Sequence, residues 1–216
     1  MGNSAMIEGK PHRTQTRDRE VTLPAIVAAA EIEFAINGFA AARTESIAGR
    51  ANVVKGMIFH YFKSKEALFE AVLERAYEPF REVLSKPVDR NQTAADSLLS
   101  LVEDLLGAMK ARPLAPVIFM LESIQGGGEH MRELGMPYFY TRVEALLKKG
   151  IAAGEFRQMD AWHGAINIVG LCGFYYCAAN NLSHARRGPN PLSEASMKKH
   201  SAEVLAFVKK GVTQEK

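Results

Sequence analysis

The sequence predicts an all-α chain in which a small N-terminal three-helix head precedes a larger helical body. Three observations carry that expectation. Apolar residues recur at three- and four-residue intervals along most of the 216 residues, and no stretch alternates convincingly at the strand period. Residues 44–65, TESIAGRANVVKGMIFHYFKSK, read as two short helices joined by a tight turn. The charge excess sits at one end: residues 1–65 hold nine Lys/Arg against six Asp/Glu, and the remainder holds eighteen of each. Excess positive charge beside a helix-turn-helix is where phosphate neutralisation would need it.

Residues 1–17 are polar and basic and are predicted to form a disordered arm. A first helix is expected from near Thr22, with Pro24 in its first turn, an apolar set of Ile26, Ala29, Ala30, Ile32, Phe34 and Ile36, and an end at Gly38. Thr44 is placed as the N-cap of a second helix whose Ile47, Ala48 and Ala51 share a face. Asn52 tolerates the left-handed turn that follows, and Lys55 to Phe62 forms the next helix. Ser64 then caps a long amphipathic helix that Pro79 should kink or break.

In the body, helices are expected from Thr93 to about Lys110, from Pro113 and Pro116 through Ile124, and from Glu129 to Ile151 after the flexible Gly126-Gly127-Gly128 loop. Gly164 to Ser183 is twenty residues without a charge. Its asparagines and frequent glycines argue against a membrane span. A helix apolar on every side is instead expected to face its own domain and a second subunit. A last amphipathic helix carries Met197, Val204, Leu205, Phe207 and Val208. Cys172 and Cys177, five apart on one helix, lie too far apart for a disulfide, which suits a reducing cytoplasm. The N-terminus shows no apolar signal-peptide core, so a cytoplasmic location is expected.

The residues Phe34-Ala35, Gly38-Phe39, Thr44, Ile47-Ala48, Ala51-Asn52-Val53 and the run from Lys55-Gly56 through Ile58-Phe59-His60-Tyr61-Phe62-Lys63-Ser64-Lys65-Glu66 to Leu68 give the segment from Ala25 to Val72 its character. That segment resembles the DNA-binding domain of TetR-family transcriptional regulators. It departs from the family pattern at Asn52, where glycine is usual, and at Val54, where Ser or Thr usually caps the recognition helix. An uncapped start costs about 1 kcal/mol of helix stability. The resemblance implies a DNA-binding domain over residues 18–65 and a ligand-binding and dimerisation domain over 66–213. It implies a homodimer through the last two helices, a palindromic duplex DNA operator, and a small-molecule effector that releases the repressor. An activator or co-regulator of the same fold is the alternative.

On the recognition helix, Lys55 can reach a phosphate or the acceptor edge of guanine, Gly56 lets the backbone approach DNA, and Met57 can meet a thymine methyl. The resemblance implies phosphate contacts for Thr44, His60, Tyr61 and Lys65; Arg43 is a further candidate. Ile58, Phe59 and Phe62 are expected to pack in the core. For the effector, apolar helices of the body present Phe119, Glu122, Tyr138, His163, Asn167, Cys172 and Tyr176 as candidate contacts. No zinc-protease His-Glu-x-x-His pattern, nucleophile elbow or dinucleotide fingerprint occurs, so no enzyme and no cofactor is expected. His130 and Glu133 could share a helix face but lack a third metal ligand, and are read as a surface pair.

Overall fold

The computed structural model describes residues 13–87, 89, 91–185 and 188–213, with the side chains of 13–18 outside the description. Among them the chain is all helix: α1 Arg13–Ala41, α2 Thr44–Arg50, α3 Lys55–Phe62, α4 Lys65–Ser85, α5 Ala94–Ala111, α6 Ala115–Gln125, α7 Glu129–Leu134, α8 Pro137–Ala152, α9 Ala161–Cys177, α10 Ala179–Ala185 and α11 Glu194–Val212. The extended backbone contributes one isolated bridge, between Phe156 and Thr213.

The head differs from its sequence expectation in instructive ways. Of the expected disordered arm, residues 1–12 lie outside the described residues, and from Arg13 the chain is already helical. The helix former-rich run Arg13 to Glu20 extends α1 upstream of Thr22, past the tolerated Pro24. Gly38 does not end α1 but kinks it, at φ 68° and ψ 176°, a conformation that L side chains rarely adopt. The buried face holds Ile26, Ala29, Ala30 and Phe34, whereas Ile32 and Ile36 are exposed and Glu33 is only 4% exposed. Glu33 is buried because it has partners. Its carboxylate accepts from Asn37 Nδ2 at 3.0 Å and from the Arg43 backbone N–H at 3.3 Å, and lies 3.6 Å from Arg50 Nε. It therefore ties the end of α1 to the start and end of α2.

Thr44 is the first residue of α2, not its cap. Arg43 occupies the cap position without a side-chain bond, and the Thr44 hydroxyl lies 3.4 Å from Glu45 Oε2. The Glu33 carboxylate takes over the role of satisfying a backbone donor there. Asn52 adopts φ 54°, and Val54 stands uncapped before α3.

Into the body, α4 starts under a genuine cap: Ser64 Oγ accepts from the Ala67 N–H at 3.1 Å. Pro79 neither ends nor divides α4. Buried Ala76 and Tyr77 before it and Phe80 and Val83 after it hold both halves on one apolar surface, which outweighs a proline cost of about 3 kcal/mol. The last carbonyls of α4 are capped from α8: Arg142 donates to the carbonyls of Val83, Leu84 and Lys86 at 3.3, 2.8 and 2.6 Å. Phe80 is the aromatic centre of the body, edge-on to Phe119 at 5.3 Å and to Phe139 at 6.1 Å.

The single helix expected from Glu129 to Ile151 is two, α7 and α8, because Gly135 turns left-handed at φ 88°. The uncharged stretch is likewise divided, between α9 and α10. Asp160 Oδ1 caps α9 through the His163 N–H at 2.8 Å. By length and composition, the described helix able to cross a membrane is Arg19–Ala41, and 44% of its apolar window is buried inside the protein. α9 packs along α8 inward, yet Trp162, Ile166, Leu171 and Phe174 leave its outer face exposed and apolar. Phe207 is likewise exposed on α11.

Between α9 and α11, Tyr175 stacks on His200 with centroids 4.1 Å apart. Burial pushes the His200 imidazole below its ordinary value, partly offset by the Cys172 backbone, and its Nε2 is buried without a partner. Because the folded value is depressed, this neutral ring contributes its full stability above the ordinary imidazole range. That contribution is lost as pH falls below about 6.5 through the folded value. Urea midpoints at neutral pH and at about pH 5 should therefore fall more in the native chain than in His200→Phe, which keeps the stack. Parallel losses would exclude the role.

Candidate nucleic-acid interface and ligand cavities

α3 lies outward on the head, held by Ile58, fully buried, and by half-buried Tyr61 and Phe62. Its exposed face carries Lys55, Gly56, Phe59 and His60, with Met57 half-buried at the edge. A Cβ at Gly56 would meet nothing within 4 Å, so its missing side chain opens the surface, not the interior. Phe59, expected in the core, is 41% exposed, with the Lys55 ammonium 5.8 Å from its ring centroid. One helical turn separates the two, and together they form a flat cationic and aromatic edge. His60 meets Tyr61 edge-on at 5.1 Å. Arg43, Arg50 and Lys63 are also exposed around this face.

Two of the predicted cations are already engaged. Lys65 donates to the Ala40 carbonyl at 3.2 Å and sits 4.9 Å from the Phe39 ring, tying α4 to the end of α1. Lys55 pairs with Glu45 on α2, and this hydrogen bond holds the Glu45 carboxyl below its usual range. Both partners are exposed, so phosphate can displace the carboxylate. Glu45→Gln should raise affinity for any duplex roughly three- to tenfold at low salt and steepen the salt dependence by about one ion. Unchanged fluorescence-anisotropy isotherms would show that Lys55 does not face phosphate.

The body holds a cavity of about 530 Å³ between α4, α5, α6, α7, α8 and α9. Phe80, Met109, Phe119, Met131 and Tyr140 contribute apolar wall, and Arg132 is the single charged residue among those lining it. Its α9 wall includes Ile166, Gly170 and Phe174, residues of the exposed apolar face, so the cavity reaches that face.

Of the seven predicted effector contacts, the structure brings only Phe119 to this cavity. Glu122 lines a separate cavity, and Tyr138 is exposed beside Leu84 and Arg142. His163 pairs with Asp160, and Asn167 is exposed on the outer face of α9. Cys172 and Tyr176 are buried and do not line the large cavity; burial pushes both groups up to about 12. Helical periodicity identifies apolar helices but not which neighbour each turn meets. Cys177 and the methionines of the cavity wall were open to the same reading as Cys172. His130 lies 3.3 Å from Glu122 Oε1, not against Glu133. No group of three or more potential metal ligands occurs among the described residues.

Residues 26–72 match the bacterial regulatory proteins of the tetR family. The HTH-type transcriptional repressor SCO4008 of Streptomyces coelicolor is 32% identical over 139 residues, which span 64% of this chain and 69% of that protein. The chain belongs to the TetR family. A second TetR-type relative, the HTH-type transcriptional repressor NicS of Pseudomonas putida, is 29% identical over 177 residues, covering 79% of this chain and 82% of that one. Among solved structures, the ketosteroid regulator KstR2 of Mycobacterium tuberculosis shares the fold with a TM-score of 0.69 at 19% identity, covering 89% of this chain and 95% of that one. As a TetR-family protein the chain is a transcriptional regulator and not an enzyme. Within the TetR head, the residues that sequence reasoning missed are Phe59, whose exposure follows from sharing the Lys55 face, and Glu33, whose buried carboxylate shapes the entry to α2.

Proposed function

We propose that the chain represses transcription in the cytoplasm as a homodimer on a palindromic operator, and that a small, partly apolar molecule in the large cavity releases it. The observation that carries this reading is α9, which packs inward on α8 yet presents Trp162, Ile166, Leu171 and Phe174 outward. Trp162, Ile166 and Phe174 lie within about one third of the helix circumference, with Leu171 on the flank beyond Phe174, and such an exposed apolar face suits a second copy related by two-fold symmetry. Phe207 is exposed on α11, which packs against α9, and this favours an interface that pairs α9 and α11 with their symmetry mates. Such a pairing holds two α3 helices in successive major-groove faces, roughly 34 Å apart. Arg43, Thr44, Lys55, Gly56, Phe59, His60 and Tyr61 then meet the duplex.

The same face closes the cavity mouth at Ile166 and Phe174. An effector there touches Phe80 on α4, the helix that begins at the head, and so biases the separation of the two heads. Its lining favours an apolar or aromatic skeleton, with Arg132 suited to an acidic group. The repressor names of the relatives from Streptomyces coelicolor and Pseudomonas putida support the direction of control. The test is anisotropy titration of the DNA upstream of the chain's own coding region, with and without small aromatic and aliphatic acids. Salt-sensitive binding that a member of the acid panel weakens supports the reading. Absence of duplex binding overturns it, and equal affinities across the panel remove the release step.

A further inference from the structure

A second cavity, of about 170 Å³, lies between head and body, away from the large one. Phe34, Phe39 and Phe69 wall it from the head side; Ile118, Leu121 and Glu122 wall it from α6. The three rings form one cluster, with centroids 4.9 to 6.1 Å apart. Gly38 faces α6 here: a Cβ there would lie 2.5 Å from the amide end of the Gln125 side chain.

One side chain in this wall is out of keeping with the rest. Glu122 is 3% exposed. Its Oε1 accepts from the His130 N–H at 3.2 Å and lies 3.3 Å from His130 Nδ1, while its Oε2 is buried with no hydrogen-bond partner. A buried carboxylate oxygen left unpaired costs free energy that a charged donor recovers. Glu66 adds a second carboxylate to the lining. Lys65, the neighbouring cation, is anchored on the Ala40 carbonyl and is not part of the wall. A hydrated metal ion does not suit the site, because Glu66, Glu122 and Gln125 set among aromatic and aliphatic walls fall short of the six or more oxygens that such ions require. A compact organic cation does. A single aromatic ring fits an apolar cavity of about 150 Å³, the surrounding rings favour positive charge, and a turn of the Glu122 carboxylate, whose side chain is 1% exposed, brings Oε2 to an ammonium group there.

We propose that this cavity is a second small-molecule site, specific for a compact aryl- or alkylammonium ion held by Glu122. Its occupant touches the end of α1 and the start of α4 on one side and α6 on the other, so it bridges head and body. The site stands apart from the operator and release readings, and its test is made without DNA.

The probes are benzylamine and its neutral isostere benzyl alcohol, titrated calorimetrically into the purified full chain at neutral pH. Benzylamine should bind at about 1 mM or tighter, with benzyl alcohol at least about tenfold weaker. Glu122→Gln, which keeps an acceptor for the His130 N–H, should remove that preference. Leu121→Trp should fill the cavity and abolish binding of both probes. In crystals soaked with benzylamine, the nitrogen should lie about 3 Å from Glu122 Oε2. Equal affinity for the two probes in the native chain overturns the proposal without recourse to any variant. So does an absence of saturable benzylamine binding below about 10 mM, an unaltered preference in Glu122→Gln, or an amine found only in the larger cavity.

Discussion

Phe174→Glu is expected to leave each chain folded but to separate the proposed dimer, and with it to lower operator affinity about a thousandfold, toward the non-specific level. Phe174 is 68% exposed in the single chain, so the substitution disturbs little of the chain's own packing. In a two-fold pairing of α9, however, each substitution acts twice. The interface loses two phenyl groups, each worth about 1.5–3 kcal/mol when fully buried. It also gains two carboxylates in an apolar surface, where an unpaired charge costs several kcal/mol. A monomer retains only one reading head, and both the half-site spacing and the summed phosphate contacts are lost. Sedimentation equilibrium reads the first effect and anisotropy on the operator the second, with circular dichroism as the control for folding. A variant that remains dimeric would displace the interface from α9.

Phe80→Ala carries the largest expected loss of stability, about 3–5 kcal/mol. Phe80 is fully buried, edge-on to Phe119 and Phe139 and 6.3 Å from Tyr77, on the one helix that runs from the head into the body. Truncation removes aromatic contacts from three elements at once and leaves a void that merges with the large cavity it already lines. For a chain of this size each kcal/mol moves the thermal midpoint by about 2–4 °C, so a fall of about 10 °C is expected. Exposed Ile124→Ala is the contrast, with an effect within about 0.5 kcal/mol. If the two variants unfold together, the aromatic centre does not hold α4 in place.

Local chemistry was legible wherever a residue's neighbours in sequence are also its neighbours in space. The span of α3, the left-handed Asn52 and the Ser64 cap all follow from a few adjacent residues. The failures share a different cause. Thr44 is an adequate cap by type, but Glu33, ten residues before Arg43, reaches that backbone first. Ile32 reads as core but is exposed, and Glu33 is buried in its stead because Arg50 and Asn37 close around the carboxylate. Phe59 reads as core because aromatic residues usually are, yet the turn of α3 that buries Ile58 necessarily turns Phe59 outward. Of the candidate effector contacts only Phe119 lines the large cavity, since a cavity is defined by what several helices leave unfilled.

The sequence by itself determined the all-helical fold, the basic reading head, the apolar stretch on α9 and membership of the TetR family. These follow from periodicity, turn chemistry and a local motif, each written over a few consecutive residues. Only the tertiary structure decided that Glu33 is an internal anchor, that Phe174 belongs both to an outer face and to a cavity, and that Glu122 keeps an unpaired oxygen between head and body. Each of those depends on side chains brought together from separate helices, and the free energy of a buried charge is set by partners that sequence spacing does not reveal.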